Sequence, residues 1–268
     1  MPIRTWGHLT TVDIAALDPA RTVAVLPVGA IEQHGPHLPL ATDILISEGI
    51  LAAAAERVAP NIDLLQLPSQ SVGLSPEHMS FAGTLTHEAE TLLATWTEIG
   101  LSVAAAGLRK LIILNSHGGQ PQIVDLTTQR LRTEASMLAV RANSFRFDLP
   151  PELIAEDERA FGLHGGQIET ALMLALHPDL VRLDQVANFP NNAAQRARTA
   201  RRLGLSGAGG YAWNAEDLNP AGATGNASRA TAEQGATLLA AYADQLAELI
   251  VDVADWPLPE GEIFGAAP

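Results

Sequence analysis

Four short apolar runs of strand type alternate with three stretches of helical spacing along the first half of the chain, and this order leaves few folds open. The runs begin at Thr22, Ile62, Lys110 and Met137, the last three ending at Leu67, Asn115 and Asn143. Between them, Ile44 to Ala59 carries apolar residues at Ile44, Leu45, Ile50, Leu51, Ala55 and Val58 and stops at Pro60. A second helix, with Thr86 as its cap, is expected to run to about Ala106, and a third from Pro121 to about Glu134. The order βαβαβαβ predicts an α/β fold with a mainly parallel sheet and helices on both faces. Ligands in such sheets bind beyond the carboxyl ends of the strands.

The first strand runs into the densest chemistry of the chain, TVAVLPVGAIEQHGPHLPLATD at residues 22–43. Glu32 and His34 are two residues apart, so in an extended segment they face one point. Gly35, Pro36 and Pro39 would then stop the strand and bring Asp43 back to the start of the following helix, where a carboxylate is favoured. The third apolar run, KLIILN, leads directly into Ser116, His117, Gly118 and Gly119. Glu32, His34 and His117 therefore all fall at expected strand ends. With Glu169, in the first turns of a later helix that starts from HGGQIETALMLAL, they form a set of two histidines and three carboxylates suited to zinc, manganese or a similar divalent ion. Five such groups exceed the needs of one tetrahedral zinc, whereas two metals sharing a carboxylate, with Asp43 the candidate bridge, would use them all. The competing reading is a polar loop with one hydrogen-bonded histidine.

His164 precedes Glu169 by five residues and is placed as a proton shuttle or hydrogen-bond donor near the substrate, or as a histidine closing a helix N-terminus. The loop SPEHMSFAGTL holds Ser75, Glu77 and His78; neighbours on a strand diverge, so Glu77 and His78 are not expected to act as a ligand pair. That loop reads as structural or substrate-positioning, with Ser75 as its substrate contact. His37 is either a support for a ligand or a contact, and His8, His87 and His177 read as surface residues. The chain also has an N-terminal lead-in (about 1–20) with a short helix capped by Thr11 or Asp13, a helix from about Pro151 to Ala160, and an irregular span from Asp184 to Pro220. A final helix follows from Ala230 to Val253, then a loose tail at about 257–268. No repeat or linker divides it, so residues 1–268 read as a single domain.

A net charge of −14 makes nucleic acid an unsuitable partner, and the absence of cysteine excludes disulfides and thiolate-bound metal. The first residues carry no apolar signal segment and no 18-residue apolar run follows, so a cytoplasmic protein without a membrane partner is expected. GLSGAGG at 204–210 lacks the preceding strand and the Lys–Ser/Thr ending of a phosphate loop, and GxSxG is absent.

With these residues assembled, the chain resembles the creatininase (creatinine amidohydrolase) family through VGAIEQHGPHLPLATD, SPEHMSFAGTL, LIILNSHGGQ, HGGQIET and ATAEQG, in family order from about residue 22 to 235. The resemblance implies a three-layer α/β sandwich, a two-metal site and homo-oligomers, hexamers in the type enzyme. It implies metal ligation by Glu32, His34, Asp43 and His117, with Asp43 bridging, and it matches His164 and Glu169 to a further motif. One departure stands out. Creatininase has a ligand glutamate two residues after the strand histidine, where this chain has Gly119, so Glu169 is the expected replacement. Gly118 stands where creatininase has a tyrosine near its substrate, which marks Gly118 as a substrate-facing position and counts against creatinine itself. The expected function is hydrolysis of the C–N bond of a small, in some relatives cyclic, amide by a hydroxide held between two divalent ions, zinc first and manganese or iron next, with His164 protonating the leaving nitrogen. The alternatives are a peptidase trimming a short modified peptide and a catalytically silent, metabolite-binding oligomer.

Overall fold

A computed structural model describes residues 3–150, 152–205 and 207–259. Pro151, the expected start of one helix, and residues 260–268 of the expected tail lie outside the described residues. Five parallel strands form the sheet: β1 (Arg4–Thr5), β2 (Thr22–Val28), β3 (Asp63–Gln66), β4 (Lys110–Asn115) and β5 (Leu138–Asn143). Their spatial order is β1-β3-β2-β4-β5. The chain thus leaves β2 toward one side for β3, then crosses back over β2 to lay down β4. That reversal makes the gap between the ends of β2 and β4 a topological switch point, where an open α/β sheet offers a crevice. Val28 pairs with Asn115, so the two strands end level and their loops open side by side.

Every residue of β2 and β4 is buried, because helices cover both faces. Side chains alternate between two cores. Val23, Val25, Ile112 and Leu114 face α2 (Thr42–Ala55), α6 (Gln167–Leu176) and α9 (Ala232–Asp255). Ala24, Leu26, Val28, Leu111 and Ile113 face α3 (Ala89–Ala105) and α4 (Pro121–Ala135), with Trp96 and Leu131 among their partners. Each large side chain so buried contributes roughly 1.5–3 kcal/mol. The α9 stripe of Leu238, Tyr242, Leu246, Ile250 and Val253 repeats every three or four residues and seals one face. Lys110, buried at the start of β4, donates to the carbonyls of Ala20 (2.8 Å) and Ala254 (2.5 Å) and ties the end of α9 to the sheet.

Several local expectations change. The lead-in contributes the edge strand β1, and α1 (Thr11–Ala15) is capped by Thr10 in a reciprocal box with Asp13, not by Thr11 or Asp13. Thr86 does not cap α3: its hydroxyl accepts from the Ser75 N–H at 2.8 Å, and Glu88 holds the cap position without a side-chain bond. The helix expected from Pro151 is confined to α5 (Glu156–Phe161), since Glu152 sits at φ +63°, outside helical space. His8 and His87 are exposed, and His177 is half-buried. The irregular span holds two short helices, α7 (Asn192–Ala197) and α8 (Ala215–Leu218), and β6 (Asn188–Phe189), which pairs antiparallel with β7 (Gly225–Asn226). Among the described residues no helix is long and apolar enough to cross a membrane.

Candidate metal centre

The loop after β2 is folded back on itself by backbone bonds. Glu32 N–H donates to Leu40 O at 2.9 Å, and Ile31 O accepts from Leu85 N–H at 2.8 Å. A Cβ on Gly29 would lie 2.8 Å from the Ile44 backbone nitrogen, so only glycine lets the strand end abut α2. Asp43, in the first turn of α2, is thereby delivered beside Glu32 and His34. After β4, the Asn115 amide clamps His117 at both backbone groups, accepting from its N–H (3.1 Å) and donating to its carbonyl (3.0 Å). Glu169 enters from the first turn of α6, where its Oε2 also accepts from the Gly165 N–H at 2.5 Å.

Glu32, His34, Asp43 and His117 are all essentially inaccessible to solvent. His34 Nε2 lies 3.1 Å from Asp43 Oδ1, and His117 Nδ1 lies 3.3 Å from Asp43 Oδ2 and 3.2 Å from Glu32 Oε1. Glu169 Oε2 is 4.0 Å from His34 Nε2. The ligand-type atoms thus gather into Glu32–Asp43–His117 and His34–Asp43–Glu169, with one Asp43 oxygen turned to each histidine, and a third gathering joins Glu32, His34 and His164. All five residues expected as ligands are brought together.

The residues present fit metal ions. Among the described residues, both Glu32 oxygens and Asp43 Oδ2 are buried without a hydrogen-bond partner, a costly arrangement for carboxylates unless a cation meets them. Each histidine hands its outer nitrogen to a backbone carbonyl, His34 Nδ1 to Glu32 O (3.1 Å) and His117 Nε2 to Leu74 O (2.8 Å). The inner nitrogen of each is left facing the carboxylates, an orientation common among metal-bound histidines. Protonation follows the same electrostatics. Burial alone would lower the His34 imidazole, but Asp43, Glu169 and Glu32 outweigh it and raise its pKa to about 9. His117, likewise opposed by burial, is raised well above its ordinary value by Glu32 and Asp43. Burial lifts Glu169 to about 7 against the pull of His34.

His164 is buried between His34 and His78, its ring 4.1 Å from the first and 4.2 Å from the second. Its Nε2 donates to Gln33 O at 2.5 Å, and its Nδ1 points toward Glu32 Oε1 at 3.6 Å. Ser75, the expected substrate contact, is fully buried with Oγ 3.4 Å from His117 Nε2. Gly118 is exposed, with open space where a side chain would stand. His37 is buried against Phe189 and bonds Thr170 Oγ1 at 2.9 Å, away from the carboxylate centre.

The sequence reading missed Glu77 and His78. They lie on a tight 3-10 turn, Pro76–His78, where adjacent residues do not diverge as on a strand. His78 Nε2 comes 3.4 Å from Glu32 Oε1, and Glu77 Oε1 comes 3.8 Å from His117 Nε2. The Glu77 carboxylate fills the space opened by Gly119, where a Cβ would lie 2.1 Å from Glu77 Oε1. Gln33 and Glu158 were also missed. Glu158 accepts from the backbone N–H of Gln167 (2.7 Å) and Asn226 (2.7 Å) and so fixes the turn carrying His164. None of these carries a local spacing signal; only the His78 imidazole type marked it out.

A family model described as creatininase (creatinine amidohydrolase) matches residues 7–250. The mycofactocin precursor peptide peptidase of Mycobacterium ulcerans (strain Agy99) is 30% identical over 261 residues, covering 95% of this chain and 94% of that one. The creatinine amidohydrolase of Pseudomonas putida is 34% identical over 184 residues, covering 63% of this chain and 69% of that one. A solved creatininase mutant in a zinc–zinc form superposes with a TM-score of 0.76 at 27% identity, covering 94% of this chain and 98% of that one.

Proposed function

Since the chain belongs to the creatininase family, a family of hydrolases, we propose that it cleaves the C–N bond of a small amide at a two-metal centre held by Glu32, His34, Asp43, His117 and Glu169. The observation that carries this reading is the division of the Asp43 carboxylate, Oδ1 toward His34 and Oδ2 toward His117. Glu32 and His117 would hold one divalent ion and His34 and Glu169 the other, zinc first and manganese or iron next. Such ions, when bound, supply polarisation of an amide carbonyl and a lowered pKa for water. His164 would take the proton of the attacking water at its bare Nδ1 and return it to the leaving nitrogen, because its Nε2 hydrogen is committed to Gln33 O. Gly118 leaves the approach open, and Asn115 keeps His117 in place during turnover.

A short modified peptide is the second reading, supported by the peptidase relative that covers nearly the whole chain. It is supported too by Met79 and Leu85 on the 75–85 loop, both more than half exposed as apolar contacts for a longer substrate. Homo-oligomeric assembly belongs to the same proposal, supported by the exposed Leu183 and Leu203. The decisive experiment is elemental analysis of protein purified without chelator. Close to two divalent ions per chain is expected. None, even after reconstitution with zinc and manganese, would overturn the proposal. The loaded protein would then be assayed on cyclic amides, formamides and short peptides, and turnover of peptides alone would move the assignment to the second reading.

A further inference from the structure

The two stacked imidazoles of His78 and His164 face the same oxygen, Glu32 Oε1, at 3.4 and 3.6 Å, and nothing in their positions alone makes them different. Gln33 does. Its side-chain amide has one possible orientation, because Oε1 accepts from the Gly35 N–H at 2.9 Å and Nε2 donates to the Gly222 carbonyl at 2.9 Å. The second hydrogen on Nε2 is directed at His78 Nδ1, 2.7 Å away, because the other imidazole nitrogen near it, His164 Nε2 at 3.2 Å, carries the hydrogen that goes to Gln33 O. His78 Nδ1 must therefore accept, which places the ring hydrogen on Nε2, facing Glu32. His164 is fixed by the Gln33 backbone instead: its Nε2–H donates to Gln33 O, and the nitrogen it turns to Glu32 is bare. One residue thus presents a hydrogen to Glu32 Oε1 from one side and a lone pair from the other.

We propose that His78 is a positioning residue for Glu32, held by Gln33 as an Nε2–H donor and barred by that hydrogen from acting as a metal ligand. Its hydrogen faces, at 3.4 Å, a carboxylate oxygen that is left without a hydrogen-bond partner among the described residues and that His117 Nδ1 approaches at 3.2 Å, and so is placed to orient Glu32 toward the ion it would share with Asp43 and His117. The part concerning the ion rests on the two-metal reading above; the tautomers do not.

Long-range proton–nitrogen correlation spectra of the zinc-loaded protein, with His78→Phe used to assign the ring, read the tautomer directly. The expected result is hydrogen on Nε2 of His78, and conversion to the Nδ1–H form in Gln33→Glu, whose carboxylate can only accept. His164 stays unchanged in that variant, because its partner is backbone. Gln33→Met serves if the glutamate variant does not fold, with loss of a single fixed His78 tautomer expected. Hydrogen on Nδ1 in the parent protein, a metal-bound His78, or a His78 signal indifferent to both Gln33 variants each overturns the proposal. Zinc titration adds a second arm: His78→Phe lowers affinity about 10- to 100-fold, while His78→Gln, which keeps a donor, recovers most of it. Equal affinities in the phenylalanine variant and the parent overturn the positioning role. If the parent binds no zinc, the two-metal reading fails, and the spectra of the zinc-free protein still decide the tautomer.

Discussion

Asp43 is the residue on which the centre turns, since each of its oxygens faces a different histidine. Asp43→Asn is expected to lose both bound ions, whereas Glu169→Gln loses one, and elemental analysis of the two variants checks this. An unchanged metal content in Glu169→Gln would remove it from the ligand set. His34 gives a pH-dependent prediction. In the metal-free protein its pKa lies near 9 against 6.5 for an unperturbed imidazole, so folding binds a proton there. The stability this contributes is complete below pH 6.5 and disappears as pH rises through 9, so the chelated protein should unfold at lower temperature at pH 9 than at pH 6.5. Zinc displaces the same proton, so its affinity should climb toward pH 9 and its binding release protons, measurable by calorimetry in buffers of different ionisation heat. The five clustered residues were legible in the sequence as a set because acidic and imidazole groups set among glycines and prolines at strand ends and helix starts suit ligation better than packing. His78 and Gln33 were not, because their roles depend on a turn geometry and on partners as distant in sequence as Gly222.

At the scale of elements, β2, β4 and the helices between them were readable from apolar runs and their punctuation. The segment carrying His164 was less so, since it is held by long-range bonds instead of its own propensity. Glu158, on α5, accepts from the N–H groups of Gln167 and Asn226. Glu158→Ala leaves both donors without that acceptor, and urea unfolding should show a loss of roughly 2–4 kcal/mol. The 75–85 loop and the end of β4 meet in a similar way. A Cβ at residue 119 would fall 2.1 Å from Glu77 Oε1 and 2.6 Å from His117 Nε2. Gly119→Ala is therefore expected to displace Glu77 and disturb His117, lowering zinc affinity while leaving the circular dichroism of the fold unchanged.

For the whole molecule, the buried carboxylates of Glu32 and Asp43 and the histidine stack converge beneath helices from both ends of the chain, where water cannot compensate their charge. Chelation should lower the thermal unfolding midpoint, and zinc should restore it in proportion to its free concentration, as binding to the folded state alone requires. A midpoint indifferent to chelator would separate the centre from stability. The sheet order makes this convergence possible: the crossing over β2 sets the loops after β2 and β4 side by side, and α6 closes the third side.

The sequence by itself determined the alternation of strands and helices, the burial of β2 and β4 on both faces, and the set of acidic and imidazole groups at the strand ends, because periodicity and residue chemistry act over a few residues. Only the tertiary structure decided the sharing of Asp43 between two histidines, the entry of Glu77 into the space Gly119 leaves, and the pairing of His78 with Glu32. Apart from His34 with Asp43, nine residues away, those are contacts between segments tens of residues apart. Their geometry comes from how loops pack at the carboxyl end of the sheet, and no local pattern encodes it.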